Sequence, residues 1–250
     1  MRVHLSRWVC LDVESNLKRM EAEACRAASE GAGLVVFPES FLHGYRRLAD
    51  PLLVRALFLS ISERYPETIF LFGSISEERR NRMTVWFKGR EVARYDKIHL
   101  FAPNGEYEYW DPGDSYTAVT IQGIPYGLIN CNDLRFPEQA RTLKLQSRCR
   151  VYLAVAWWPW RRDHVWRTLL RARAIENAAW VLGCCVSASE VPEEHFSGAG
   201  NYVFDPAGSA CYPVEGDTGY ELDLKAVPAL PVDPVASHVE ISRIRHFQES

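Results

Sequence analysis

The chain has 250 residues, 47% of them hydrophobic and 24% charged, proportions that fill one sizeable core and exclude a disordered tail protein. Twenty-nine basic against 32 acidic residues give a formal charge of −3, so no electropositive excess exists to grip nucleic acid or an anionic membrane. The longest apolar stretch, around Val151 to Trp160, covers roughly half of what a membrane-spanning helix needs. The amino terminus lacks the apolar core and small-residue cleavage site of a secretory signal, so a cytoplasmic location is expected. Seven cysteines, none in a Cys-x-x-Cys pair, make neither a complete disulfide framework nor a cysteine-rich zinc site.

Strands and helices take turns along the chain. Asn16 to Glu30 places Leu17, Met20, Ala24, Ala27 and Ala28 at three- and four-residue spacing, which predicts a helix with Gly31 where a C-cap belongs. Leu34 to Phe37 predicts a buried strand, Leu52 to Arg64 a second helix, and Ile69 to Ile75 a second strand. The charged run Glu77 to Arg80 predicts a solvated turn. Thr84 to Phe87, the turn at Lys88-Gly89 and Glu91 to Tyr95 predict a hairpin. Tyr126 to Asn130, Val151 to Ala156 and Trp180 to Val186 continue as strands, with helices over Pro137 to Ser147 and Val165 to Ala178 between them. Asn201 to Phe204 and Ser209 to Tyr212 are strand-like on either side of a Pro-Ala-Gly turn. The rhythm predicts an α/β layered fold with a mixed sheet. One domain is expected over 1–225, followed by a tail, 226–250, that opens with the proline-containing segment Pro228 to Pro234.

Three reactive side chains fall at comparable places. Glu39 follows the strand ending at Phe37, Lys97 follows the strand ending near Tyr95, and Cys131 follows the strand ending at Asn130. Ligands of open α/β sheets sit beyond the carboxyl ends of strands, where these three groups can converge. A thiol is nucleophilic as the thiolate, and a carboxylate within reach takes its proton. An ammonium or backbone N–H then stabilises the oxyanion formed on an attacked acyl group. Taken singly, such a cysteine is most often a small buried hydrophobe and such a Glu–Lys pair a structural ion pair.

The local sequences decide between these readings. Val35-Val36-Phe37-Pro38-Glu39, Tyr95-Asp96-Lys97-Ile98-His99-Leu100-Phe101 and Asn130-Cys131-Asn132-Asp133-Leu134-Arg135-Phe136-Pro137-Glu138 resemble the three signature blocks of the nitrilase superfamily, the carbon–nitrogen hydrolases. Trp158-Pro159, Arg171 to Asn177 and Asp205-Pro206-Ala207-Gly208 are similar to further family segments. The resemblance runs from about Asn16 to Asp223. It implies a four-layer α-β-β-α sandwich and a catalytic triad of Glu39, Lys97 and Cys131. It also implies an auxiliary glutamate before a Pro-Gly, for which the spacing favours Glu106 over Glu108. The implied reaction is hydrolysis of a small-molecule amide through a thioester on Cys131, with Lys97 and the Asn132 N–H at the oxyanion and no cofactor or metal.

The Cys-Asn-Asp start resembles the amidase and carbamoylase branches, and the Leu-Arg-Phe-Pro-Glu continuation resembles the omega-amidase branch. Arg135 is expected either to bind a substrate carboxylate or to form an internal ion pair. Tyr107, Tyr109 and Trp110 on one loop, and Trp157, Trp158 and Trp160 on another, are candidates for the pocket walls, with Trp158 more a packing residue. Trp157 stands where the amidase branch often has asparagine, and Asn201 where it commonly has serine. Family members commonly form dimers or larger homo-oligomers, so a homo-oligomer is expected. Two other classes compete: an acyltransferase using the same thioester, and a non-catalytic binding protein of the same fold. No histidine pair has the spacing of a zinc site, His99 reads as structural, and Gly198-Ala199-Gly200 falls short of a dinucleotide fingerprint.

Overall fold

The computed structural model describes residues 1–45, 47–191, 195–226 and 235–239. In chain order the elements are β1 (Arg2–Leu5), β2 (Trp8–Cys10), α1 (Val13–Ser29), β3 (Leu34–Phe37), α2 (Pro51–Arg64), β4 (Ile69–Glu77), β5 (Arg80–Phe87), β6 (Arg90–Asp96) and α3 (Glu106–Tyr109). There follow β7 (Ala118–Ile121), β8 (Ile124–Asn130), α4 (Pro137–Ser147), β9 (Val151–Ala156), α5 (Asp163–Asn177), β10 (Trp180–Ser189), β11 (Phe196–Ser197), β12 (Tyr202–Phe204), β13 (Ala210–Cys211) and β14 (Gly219–Glu221). The expected tail segment Pro228 to Pro234 lies outside the described residues.

Two mixed sheets form among the described residues, one in the order β14-β1-β3-β4-β5-β6 and one in the order β13-β12-β10-β9-β8-β7, with β2 and β11 also paired to β10. Their strands lack alternation because both faces are covered. Leu34 and Val36 of β3 point between the sheets, where they join Leu128 of β8 and Leu153 and Val155 of β9. Val35 and Phe37 point the other way, onto Met20 and Ala24 of α1 and Phe58 of α2. On the second sheet Tyr152 and Ala154 of β9 pack against Leu143 of α4 and Leu170 of α5. The result is the four-layer α-β-β-α sandwich that the sequence blocks imply.

Local chemistry sets the boundaries. Asp12 caps α1 by accepting from the Ser15 N–H at 2.8 Å, so the helix starts three residues before the amphipathic stretch that predicts it. Asp50 caps α2 in the same way, with Pro51 at its first position. The turns Glu78-Arg79, Lys88-Gly89 and Gln122-Gly123 all have positive φ at both residues, the twist that tight hairpins require.

Strand direction brings the site together. β3 and β4 run parallel, and β5 and β6 reverse twice, so β6 ends at the same edge as β3. β8 and β9 are parallel to each other in the second sheet. At this edge β4 is bulged between Phe72 and Ser74, and the Ser40 N–H donates to Ser74 Oγ at 3.0 Å. A Cβ on Gly73 would stand 1.8 Å from the Pro38 carbonyl oxygen, so only glycine lets β4 pass under the Pro38-Glu39 bend. Gly73→Ala is expected to destabilise the fold by about 1–3 kcal/mol and to reduce activity by displacing Glu39. A urea midpoint and activity equal to those of the parent protein would contradict this account of the bend.

Candidate active site

Glu39, Lys97 and Glu106 meet in the dry interior beyond the strand ends. The Lys97 Nζ donates to Glu39 Oε1 at 2.8 Å and to Glu106 Oε1 at 2.9 Å, and all three side chains are essentially fully buried. Both oxygens of Glu39 are held further. Oε1 accepts from Asn81 Nδ2 at 2.9 Å, and Oε2 accepts from the Trp157 N–H at 2.8 Å. Asn81 is itself fixed by a 3.0 Å hydrogen bond from Asn130 Nδ2. Glu106 Oε2 accepts from the Phe101 N–H at 2.8 Å, which anchors the loop carrying α3. The Cys131 Sγ lies 4.0 Å from the Trp157 carbonyl oxygen, and Glu39 is close enough to act on the thiol.

Burial pushes the Glu39 carboxyl up, but the Lys97 ammonium and the donated hydrogen bonds outweigh it, and its pKa ends below the ordinary carboxylate value. For Glu106 burial wins despite Lys97, with repulsion from Glu39 adding to it, and the pKa rises. Burial works against the charged form of Lys97, yet the two carboxylates hold it well above a normal lysine. Burial and the Glu39 charge hold Cys131 well above a normal thiol, against the pull of Lys97. At rest the set is therefore thiol, carboxylate and ammonium, and it titrates as one unit.

Cys131 opens a tight 3-10 turn, Cys131–Arg135, directly after β8, with a positive φ of 53° that non-glycine residues rarely adopt. Asp133 ties this turn to the segment after Lys97. Its carboxylate accepts from the Tyr95 hydroxyl at 2.8 Å, the Asn130 N–H at 3.1 Å and the His99 N–H at 2.9 Å. His99 Nδ1 sits 2.8 Å from the same carboxylate and its ring stacks on Phe136, so His99 is structural, as the sequence predicts. The Asn132 side chain donates to the His99 carbonyl at 3.0 Å, and Asn132 borders the cavity.

Above Cys131 opens a cavity of about 700 Å³. Trp157, Trp158, Trp160 and Tyr109 line it, as do Arg135 and Glu106. Two expected wall residues do not. Tyr107 is 56% exposed, because the short helix α3 turns Glu106 inward and the next residue outward. Trp110 is buried under the site, donating from Nε1 to Ser76 Oγ at 3.0 Å and packing on Tyr45. Trp158 does both jobs, bordering the cavity and packing on Trp166. Arg135 forms no ion pair among the described residues, and its guanidinium lies 4.6 Å over the Trp158 ring. Asn201 holds the two sheets together, accepting from the Cys185 N–H at 2.8 Å and donating to the Leu5 and Ser6 carbonyls.

Tyr45 and Asn81 are among the site residues that sequence reasoning missed, as are Arg161, Arg162 and Phe196 on the cavity wall. Tyr45 hydrogen-bonds Glu39, and its ring stands between Trp110 and Trp157. Asn81 lies three residues before the strand segment that periodicity picks out; a lone amide there carries no motif.

The carbon-nitrogen hydrolase family model matches residues 3–209. The chain belongs to the carbon–nitrogen hydrolases, the nitrilase superfamily. An omega-amidase of Yersinia enterocolitica is 28% identical over 222 residues, covering 86% of this chain and 84% of that protein. A deaminated glutathione amidase of Synechocystis is 28% identical over 224 residues, covering 79% of this chain and 80% of the relative. Among solved structures, an amidase from Nesterenkonia superposes with a TM-score of 0.76 at 22% identity, covering 95% of this chain and 92% of the other. This carbon–nitrogen hydrolase is an amidohydrolase acting on bonds other than peptide bonds. No helix among its described residues is long and apolar enough to cross a membrane.

The loop from Ser40 to Tyr45 depends on a neutral histidine. His43 donates from Nδ1 to the Gly44 carbonyl at 2.5 Å and accepts at Nε2 from the Ser76 N–H at 2.8 Å, so a proton on Nε2 would set two donors against each other. Burial, with Arg47 nearby, lowers its pKa from 6.5 to about 4, against the pull of the Gly44 carbonyl. Between these values the unfolded chain binds a proton that the folded one refuses. Stability should therefore fall by about 3 kcal/mol as pH drops from 6.5 towards 4. Urea midpoints against pH should lose most of that slope in His43→Gln, and an identical slope in both proteins would refute the assignment.

Proposed function

We propose that this hydrolase cleaves the amide or carbamoyl bond of a small anionic molecule through a thioester on Cys131, releasing ammonia and an acid. The observation that carries this reading is the convergence of Glu39, Lys97 and Cys131, with Cys131 opening onto one cavity. Glu39 takes the thiol proton as sulfur attacks the carbonyl carbon. Lys97 and the Asn132 N–H hold the oxyanion. The carbon–nitrogen bond breaks as Glu39 gives its proton to the departing nitrogen. Water then adds to the thioester while Glu39 accepts its proton, the carbon–sulfur bond breaks, and the proton returns to Cys131.

Glu106 holds Lys97 and lines the cavity, so its role is to orient the ammonium or the substrate amide. Arg135 lines the cavity without an ion pair among the described residues, which supports a carboxylate anchor over an internal bridge. The similarity to an omega-amidase and a deaminated glutathione amidase supports an amide of an organic acid as substrate.

Ammonia release from omega-amido acids, carbamoyl amino acids and short aliphatic amides is the direct test. Cys131→Ala and Glu39→Gln should each lower turnover about a thousandfold or more while folding persists. A slow substrate should add its acyl mass to Cys131 in the intact protein, and added hydroxylamine separates hydrolysis from acyl transfer. Full activity in Cys131→Ala would end this reading.

A further inference from the structure

The rim of the cavity carries three guanidiniums, Arg135, Arg161 and Arg162, contributed by the turn after β8 and the turn after β9. None of the three forms an ion pair among the described residues. Arg135 lies over the face of Trp158 and Arg162 over the face of Phe101, at 4.6 and 5.3 Å from the ring centres. The Arg162 Nε is buried without a hydrogen-bond partner. Several arginines elsewhere are paired with carboxylates, whereas Arg19 and Arg167, like two of the rim arginines, lie over aromatic rings with no ion pair among the described residues. Arg82 is paired with Asp96, Glu77 and Glu78, Arg55 with Glu91, and Arg173 with Glu176. The carboxylate that does line the cavity, Glu106, is occupied by Lys97 at the floor.

Three guanidiniums around one opening, with no carboxylate partner among the described residues, repel each other. Burial depresses the Arg162 guanidinium, and Arg135 and Arg161 depress it further, while Cys131 acts in the opposite sense. Arg162 is thus close enough to Arg135 and Arg161 to feel their charge. A single substrate carboxylate on Arg135 leaves the other two guanidiniums unanswered.

Building on the amidohydrolase reading, we propose that the substrate carries two anionic groups besides its scissile amide. Arg135 seats one, Arg161 and Arg162 hold the second, and the connecting body lies against the Trp157, Trp160 and Phe196 rings. The second group is a carboxylate or a phosphate-type anion, since a guanidinium fork receives either. The cavity of about 700 Å³ has room for such a molecule.

Calorimetric binding to the Cys131→Ala protein tests this. Three ligands share a glutamine carboxamide: N-succinyl-L-glutamine, N-(3-phosphonopropanoyl)-L-glutamine and the single-anion N-pentanoyl-L-glutamine. At low salt at least one two-anion ligand should bind about tenfold or more tightly than the pentanoyl compound, and salt should shrink the gap. Which of the two wins identifies the anion. Arg161→Gln/Arg162→Gln on the same background should cut the preference to under about threefold, whereas Arg161→Lys/Arg162→Lys should keep most of it. Equal affinities, no binding by any ligand, or a preference that survives the double glutamine variant would overturn the proposal. The hydrolase reading fails on a different measurement, ammonia release that persists without Cys131.

Discussion

One ammonium between two carboxylates, away from water, is the constraint on which the rest depends. Taking three charges out of solvent is costly, and the geometry repays it only while every partner is in place. Lys97 balances one negative charge in full, so the second carboxylate is left under-compensated and Glu106 holds its proton more readily than usual. A thiolate at Cys131 would add a third anion, which is why the thiol pKa is high. Moving the thiol proton to Glu39 leaves the total charge of the set unchanged. The site therefore favours proton transfer coupled to attack over a standing thiolate.

The same contacts join the two sheets. Glu39 grows from β3 in one sheet, and its Oε2 is held by a backbone N–H that follows β9 in the other. Asn81 of β5 and Asn130 of β8 repeat the crossing one layer away. Asp133 adds a third tie, from the Cys131 turn to the segment that follows Lys97. Sliding one sheet over the other would strand buried charges without partners, so the packing of the sandwich and the alignment of the reacting groups are a single requirement. The positive φ of Cys131 is tolerated for the same reason, because Asp133 and the β8 ladder over-determine the turn.

The chemistry was more legible in the sequence than the walls around it. Glu39, Lys97 and Cys131 follow strands that periodicity picks out, the family resemblance marks them as a set, and it also implies a glutamate before Pro112-Gly113, for which spacing favours Glu106. The strands β1, β2, β7, β11 and β14 were not legible, being two to four residues long and mostly at sheet margins, where neighbours rather than propensity stabilise them. Tyr107 and Trp110 misled because a loop composition says nothing of helical phase. One four-residue turn, α3, sends the glutamate in and the tyrosine out, and the chain then dives so that Trp110 becomes core. Tyr45 and Asn81 were silent because their partner, Glu39, is near only in space.

Floor and rim answer to different physics. Glu39, Lys97, Glu106 and Asn81 all have partners inside the protein, so substitutions there leave a buried charge or donor unsatisfied and cost both stability and turnover. Arg135 and Arg162 rest on aromatic faces with no carboxylate partner among the described residues, and Arg161 and Arg162 lie on a 3-10 turn that no strand confines. Replacing them removes repulsion as well as a binding group, so the fold tolerates such changes. Selectivity can therefore drift at the rim while Lys97 keeps the floor fixed. In this chain the rim carries positive charge, which on the proposed reading an anionic substrate neutralises as it covers Cys131.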